Sequence, residues 1–399
     1  MGVKGKIDKL LRWGKIWLAQ FATVKMSNAR CKAGTGKVLV IKSDAIGDFL
    51  IWLDSAKELR ELYKDKRIVL ICSSPCVDIA ESTGYFDEIQ TLNIRKFEGD
   101  AAYRREILRQ FGNLSFDVLI QTAFSRTVHM DMLAAAIPAA QKIALVSDES
   151  RTNLSRYIVT KSNKKKLDSI YDKLIPATDG WLMEVKRNGE LIRGLGKSDF
   201  QSGMPVLKPY DAADGIIPKG DYFVIFPGAS TPKKMWAIHN FAQIADYVCE
   251  KTGWRAYACG SREEQVLYER LNRPQIVDYF GKTTLMELAE VIRHAKLVIS
   301  NDTSGIHFAA AVNTPSVCIL GEYNYGRFLP YDYDREYGSE LKPMIVCHAG
   351  MDCKRCAAGK MTSECNACMA STGRYLCVDK VTVSQVKEAV DRIINTYEV

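Results

Sequence analysis

Two kinds of period alternate along most of this chain. Short continuous runs of β-branched and other apolar residues, at 37–42, 67–72, 116–121 and 142–146, are separated by stretches whose apolar positions recur at helical spacing. Between 48 and 63, Leu50, Leu53, Ala56, Leu59 and Leu62 form one such face, and 130–137 forms another. Runs without polar alternation predict strands buried on both faces, and the helices between them predict a parallel sheet covered on both sides. The pattern pauses over 199–220, where Pro205, Pro209 and Pro218 with scattered Gly and Asp predict a linker. It then restarts, with strands at 222–226, 254–259, 296–300 and 316–320 and helices at 239–252, 284–294 and 304–312. An amphipathic helix over 381–394 closes the chain. Two doubly wound α/β domains in tandem imply a cleft between them, with ligands outside the carboxyl ends of the strands.

Length and composition agree with that layout. The chain has 399 residues, of which 47% are apolar and 26% charged, enough for two or three domains and unlike a disordered or collagen-like sequence. No apolar run approaches the ~18 residues that a membrane span requires.

Charge changes the picture by its position. Residues 1–42 carry ten Lys/Arg against one acid, Asp8, which exceeds the net +8 of the whole chain. A nucleic-acid binder would spread its bases over a folded face, so the pattern predicts a locally basic arm instead. Lys4, Lys6, Lys9, Arg12 and Lys15 interrupt the segment too often for a secretory signal, and Lys6 breaks the myristoylation pattern after Met1-Gly2. On a helical wheel Val3, Ile7, Leu10, Leu11, Trp17, Leu18, Phe21 and Val24 share one side. Such a helix suits either an anionic membrane surface, through residues 1–24, or packing against its own domain or a partner subunit.

Three strand-to-helix junctions carry candidate chemistry. After the first strand comes Lys42-Ser-Asp-Ala-Ile-Gly-Asp48, in which Gly47 allows close backbone approach and Asp48 opens a helix whose dipole favours an ionised carboxylate. That carboxylate reads as a general base or as an ordinary N-cap. Ala33-Gly-Thr-Gly-Lys37 lacks the spacing of a phosphate loop. In the second half, Gly228 and Ser230 followed by Lys233 and Lys234 combine close backbone, hydroxyl and cation, the parts of a diphosphate site. Asn301-Asp-Thr-Ser-Gly-Ile-His307 places Thr303, Ser304 and Gly305 where a helix begins, with N–H groups and hydroxyls suited to anionic oxygens. His307 by itself reads as a structural histidine on the buried side of that helix.

Taken in order, residues 38–48, Pro227-Gly-Ala-Ser with Lys234-Met-Trp236, Gly260-Ser-Arg-Glu-Glu264, Gly281-Lys-Thr-Thr-Leu285 and Asp302-Thr-Ser-Gly-Ile-His307 resemble the bacterial heptosyltransferase-like glycosyltransferases, glycosyltransferase family 9. Met183 to Asn188 and Leu195-Gly196 resemble the family's interdomain segment. The likeness begins near residue 37 and leaves the basic leader outside. It implies an α/β fold of GT-B type, two Rossmann-like doubly wound parallel-sheet domains facing a cleft. It further implies Asp48 as the base that deprotonates the acceptor hydroxyl in one inverting displacement. Gly228, Ser230, Lys234, Thr303, Ser304 and Gly305 would bind the donor diphosphate, stabilising the departing nucleotide without a metal. Glu264 would hold the nucleotide ribose, and Asp302 would lie near the donor sugar. The family run is Asp-[Ser/Thr]-Gly-x-x-His, whereas here Ser304 takes the glycine place and Gly305 follows.

The implied function is transfer of a sugar, heptose from ADP-heptose in the commonest case, to a saccharide such as lipopolysaccharide core or a related surface glycan. Arg126 is a candidate for an anionic acceptor group. The alternatives are a nucleotide-sugar epimerase or a non-catalytic relative on the same scaffold. A dinucleotide oxidoreductase is disfavoured, since the first junction lacks G-x-G-x-x-G.

Twelve cysteines complete the inventory, six of them between Cys347 and Cys377. Without a secretion signal a disulfide framework is not expected, and a reducing cytoplasm is. Cys353-x₂-Cys356 and Cys365-x₂-Cys368 are knuckles that let paired thiolates hold one tetrahedral metal, zinc or iron. The family's four-cysteine segment corresponds to Cys353, Cys356, Cys377 and either Cys368 or Cys365, with a structural role; no cofactor is expected for catalysis. The expected organisation is a basic extension (1–36), an acceptor domain (37–205), a nucleotide-sugar domain (206–345), a Cys-rich segment (346–379) and a C-terminal helix (380–399). The expected location is cytoplasmic, peripheral on the inner face of the bacterial cytoplasmic membrane, with no nucleic-acid partner.

Overall fold

A computed structural model describes residues 28–147, 161–178, 182–331, 343–351 and 363–397. The basic leader helix therefore lies outside the described residues, as do Cys353 and Cys356. The chain divides into two units: residues 1–45, 55–180 and 186–201 form the first, and residues 46–54, 181–185 and 202–399 form the second.

In the first unit, β1 (Lys37–Lys42), β2 (Arg67–Ser73), β3 (Glu88–Leu92), β4 (Phe116–Gln121), β5 (Ala139–Leu145) and β6 (Lys173–Ile175) make one parallel sheet in the order β3-β2-β1-β4-β5-β6. Val38 to Ile41 are fully buried, as expected of a central strand clad by helices on both faces. In the second unit, β7 (Tyr222–Phe226), β8 (Arg255–Ala258), β9 (Ile276–Asp278), β10 (Leu297–Asn301), β11 (Ser316–Ile319) and β12 (Met344–Cys347) make another, ordered β12-β11-β10-β7-β8-β9. Numbered from its own first strand this is again 3-2-1-4-5-6, the doubly wound order. In each sheet the strand order reverses between the first and fourth strands, which puts the ligand-competent crevice at the carboxyl ends of β1 and β4, and of β7 and β10.

All eight strands read from the sequence form. The four missed ones (β3, β6, β9 and β12) are the sheet edges, short and partly exposed, and polar residues break the apolar runs of β3, β6 and β9. The helix expected over 48–63 is two helices, Ile46–Leu50 and Leu53–Leu62. Between them the Trp52 N–H turns back to Phe49 O at 3.2 Å, tightening the chain so that Trp52 is fully buried edge-on to Phe49. Residues 199–220 form no regular element, as their prolines require.

Candidate functional site

The second unit brings most of the singled-out residues together. β7 ends at Phe226 and runs into Pro227-Gly228, while its neighbour β10 ends at Asn301. Asn301 is completely buried. Its amide nitrogen donates to Pro227 O at 2.8 Å and Gly228 O at 3.2 Å, and its oxygen accepts the Trp236 N–H at 3.0 Å. One side chain thus grips both ends of the loop that carries Ser230 and Lys234. The far end has a second anchor, since Trp236 Nε1 donates to Val381 O at 2.8 Å and the Tyr375 N–H to Lys233 O at 2.9 Å. Ser230 is exposed on this loop.

Lys234 reaches the turn after β10. Its Nζ stands 3.4 Å from Asp302 Oδ2 and 5.1 Å from the centre of the Tyr323 ring. Asp302 is buried, and the same oxygen also accepts from Tyr323 Oη at 3.0 Å and Asn324 Nδ2 at 2.6 Å. Burial and the adjacent Asp302 carboxylate push the Tyr323 phenol well above its ordinary range, so it remains a donor. The loop after β11 therefore fixes Asp302, and Asp302 fixes Lys234.

The helix Ser304–Ala311 starts here, with Thr303 as its N-cap in extended conformation (φ −144°, ψ 178°) and no capping bond from the Thr303 hydroxyl. First-turn N–H groups and this hydroxyl stand at the carboxyl end of β10, an arrangement suited to phosphate oxygens. Gly305 has a packing reason: a Cβ there would come within 2.4 Å of the Phe226 ring. Gly305 thus lets this helix lie against Phe226 at the end of β7. At Gly228 a Cβ would meet Glu264 Oε1 at 2.1 Å, so the bare backbone leaves room for that carboxylate. Glu264 closes a capping box, Oε2 accepting the Ser261 N–H at 2.9 Å, which leaves its other oxygen against the Gly228 backbone.

Asp48 lies in the first turn of Ile46–Leu50, half-buried, within the second unit. The preceding Gly47 faces the helix Ser304–Ala311 so closely that a Cβ would stand 2.8 Å from His307 Cδ2. Gly47 thus serves close approach. His307 is buried, with Nδ1 paired to the Tyr331 hydroxyl. Burial pushes its pKa down to about 4 against the opposing pull of Asp302, so the ring is neutral near pH 7. Ile51 packs with Ile306, Cys318 and Leu320, and Asp54 Oδ2 accepts the Gly203 N–H at 2.6 Å. The Asp48 turn is therefore seated on the helix that begins at Ser304.

Arg126 does not have the role expected of it. It is buried in the first unit, paired with Asp168 and with Asp131 at 3.3 Å, and its guanidinium lies 4.8 Å from the centre of the Tyr171 ring. Asp131, Asp168 and the Tyr171 ring engage it from within, so it is an internal ion-pair residue and not an acceptor contact. In the Cys-rich segment, Cys365 and Cys377 are buried, and Cys368 Sγ lies 3.5 Å from Thr372 Oγ1 on its own helix. Among the described residues no three His, Cys, Asp or Glu gather into a group that could hold a metal ion. Sequence reasoning missed Asn301, Tyr323, Asn324 and Tyr331. Asn301 directly precedes the acid of a motif already singled out, and that adjacency could have found it; the other three act across a loop with no local signature.

Comparison with known proteins agrees with this layout. The family model of glycosyltransferase family 9 (heptosyltransferase) matches residues 172–344. Lipopolysaccharide heptosyltransferase 3 of Escherichia coli K12 is 28% identical over 159 residues, 37% of this chain; this chain spans 46% of that protein's length. The lipopolysaccharide core heptosyltransferase OpsX of Haemophilus influenzae is 22% identical over 305 residues, covering 73% of this chain and 81% of that one. The crystal structure of a family 9 glycosyl transferase from Veillonella parvula superposes with a TM-score of 0.70 at 16% identity, over 92% of this chain and 99% of the other. With five motifs in order, a family model matched over residues 172–344 and two sheets in the doubly wound strand order, the chain is similar to glycosyltransferase family 9, the heptosyltransferase family.

Proposed function

We propose that this protein transfers a sugar from a nucleotide-diphosphate donor to a saccharide acceptor, with inversion, and that Asp48 is the base. One observation carries the reading. Lys234, Ser230 and the turn from Thr303 to Gly305 extend from the ends of two hydrogen-bonded strands, β7 and β10, and the Asp48 turn is packed against the helix that Thr303 caps. A diphosphate at those strand ends would take N–H groups, hydroxyls and one ammonium, which meet the charge developing on the departing nucleotide. Asp48 would take the proton of the attacking hydroxyl, the anomeric carbon changing configuration in one displacement. Glu264, beside Gly228, suits the ribose. Heptose from ADP-heptose, delivered to lipopolysaccharide core or a related surface glycan, fits the names of the similar curated proteins.

The test is incubation of the full chain with ADP-heptose and a heptose-deficient core acceptor, with NMR of the anomeric proton in the product. A new glycoside of opposite anomeric configuration supports the proposal. Release of heptose epimers or of free nucleotide sugar isomers without acceptor contradicts it.

Two further roles belong to the same reading. The Cys-rich segment holds a structural zinc or iron through Cys353, Cys356, Cys377 and Cys368 or Cys365, and substoichiometric metal in protein purified under reducing conditions counts against it. The basic leader holds the enzyme on the cytoplasmic membrane face. Among the described residues no helix is long and apolar enough to cross a membrane. Deleting residues 1–30 should remove salt-sensitive binding to anionic vesicles; unchanged binding assigns the leader a purely structural role.

A further inference from the structure

We infer that Asn301 is the positioning residue of the diphosphate site: its buried amide holds the Ser230–Lys234 loop in register with the Asp302–Ser304 turn. The inference rests on the proposed donor reading and adds to it the part that sets the spacing between the two phosphate-binding turns. Asn301 is the last residue of β10, so its backbone leads directly into Asp302, Thr303 and Ser304. Its side chain crosses to the neighbouring strand end. There it donates to Pro227 O and Gly228 O, and lies 3.5 Å from Phe226 O, at the point where β7 gives way to the loop. Its oxygen holds the Trp236 N–H, two residues beyond Lys234.

A loop gripped at residues 227, 228 and 236 by one planar amide has little freedom left between the grips. The chemistry is specific to a primary amide. Carbonyl oxygens on one side need a donor and an N–H on the other needs an acceptor, and at this size only asparagine offers both. Aspartate has the same shape but would present an acceptor to the carbonyls of Phe226, Pro227 and Gly228. A clamp that served only to fill the core would not need both polarities aimed at the two ends of one loop.

The test compares ADP with AMP as probes, because the second phosphate reports the register of the two turns. Titration calorimetry on the full chain gives both Kd values for wild type, Asn301→Asp, Asn301→Ala and Lys234→Ala, with circular dichroism to establish folding. For folded Asn301 variants, ADP affinity should fall tenfold or more while AMP affinity stays within about threefold, so that the preference for ADP collapses. Equal losses for the two nucleotides, or an unchanged preference, would overturn the positioning role. So would failure of both Asn301 variants to fold, which would make the residue a stability element only. Lys234→Ala separates the layers. If it leaves the ADP preference intact, the donor reading fails; if it abolishes the preference while Asn301→Ala does not, the donor reading stands and this inference falls.

Discussion

The two sheets share a strand order and differ at their carboxyl ends. In the first unit, the end of β1 closes on itself: Lys42 is buried and paired with Asp44 at 2.7 Å, and Thr122 Oγ1, just past β4, bonds back to Ile41 O at 2.9 Å. In the second unit, the corresponding ends open into two turns of small and hydroxylated residues, clamped by Asn301 and flanked by Lys234. The first unit does contain an anion cradle, at the amino end of its sheet and filled by its own side chain. The N–H groups of Gly34 and Thr35 at 2.7 Å and of Gly36 at 3.1 Å surround the Asp117 carboxylate, which Lys66 also meets at 2.8 Å. Backbone N–H groups gather around an anion in both units, so the cradle alone does not make a ligand site. Its place at the strand ends where the order reverses, beside a cation and a candidate base, makes the second unit's version the candidate ligand site.

The contrast can be broken in graded steps. Asp48→Ala should have the largest effect, lowering turnover by about 10²–10⁴-fold with ADP-heptose affinity nearly intact, as read by product formation and calorimetry. Lys234→Ala should lower turnover by about 10²–10³-fold and weaken the donor as well, whereas Lys66→Ala beside the internal cradle should leave both untouched. Gly305→Ala presses a methyl group against the Phe226 ring and should destabilise the second unit by about 1–3 kcal/mol in denaturant unfolding, whereas Gly228→Ala, which meets only the movable end of Glu264, should cost less. Gly112→Ala in the first unit, whose Cβ would find its nearest atom at 3.6 Å, should lie well below the Gly305→Ala effect.

The smallest effect is a pH dependence of the first unit. Lys66 and the N–H groups of Thr35 and Gly34, acting against burial, hold Asp117 well below the usual carboxylate range. A carboxylate lowered in the folded state stabilises fully above its unfolded value of about 4 and loses that contribution as pH falls toward the folded value. Asp117→Asn should therefore lower stability at neutral pH, where the charged carboxylate contributes fully, and flatten the fall in stability below pH about 4. Acid titration followed by circular dichroism checks this.

How much of this was legible follows from where each signal resides. The central strands announced themselves because burial on both faces forbids polar residues, and the edge strands did not because water tolerates them there. Asp48, Gly228, Lys234 and the residues from Thr303 to Gly305 were visible because strand-to-helix junctions with small residues are local, whereas Glu264 and Asp302 were named only through the family resemblance. Asn301, Tyr323 and Tyr331 were not, since their partners lie between 21 and 75 residues away and only the fold joins them. Arg126 misled for the converse reason: an arginine after a strand looks like a ligand contact until its buried acids, Asp131 and Asp168, are placed beside it.

Hydrogen exchange of the full chain with and without ADP tests the central claim most directly. Binding at the second unit's strand ends predicts new protection in residues 227–236 and 302–306, with the internal cradle at 34–36 unchanged. Protection confined to residues 42–48 and 121–127, or none at saturating ADP, would contradict it.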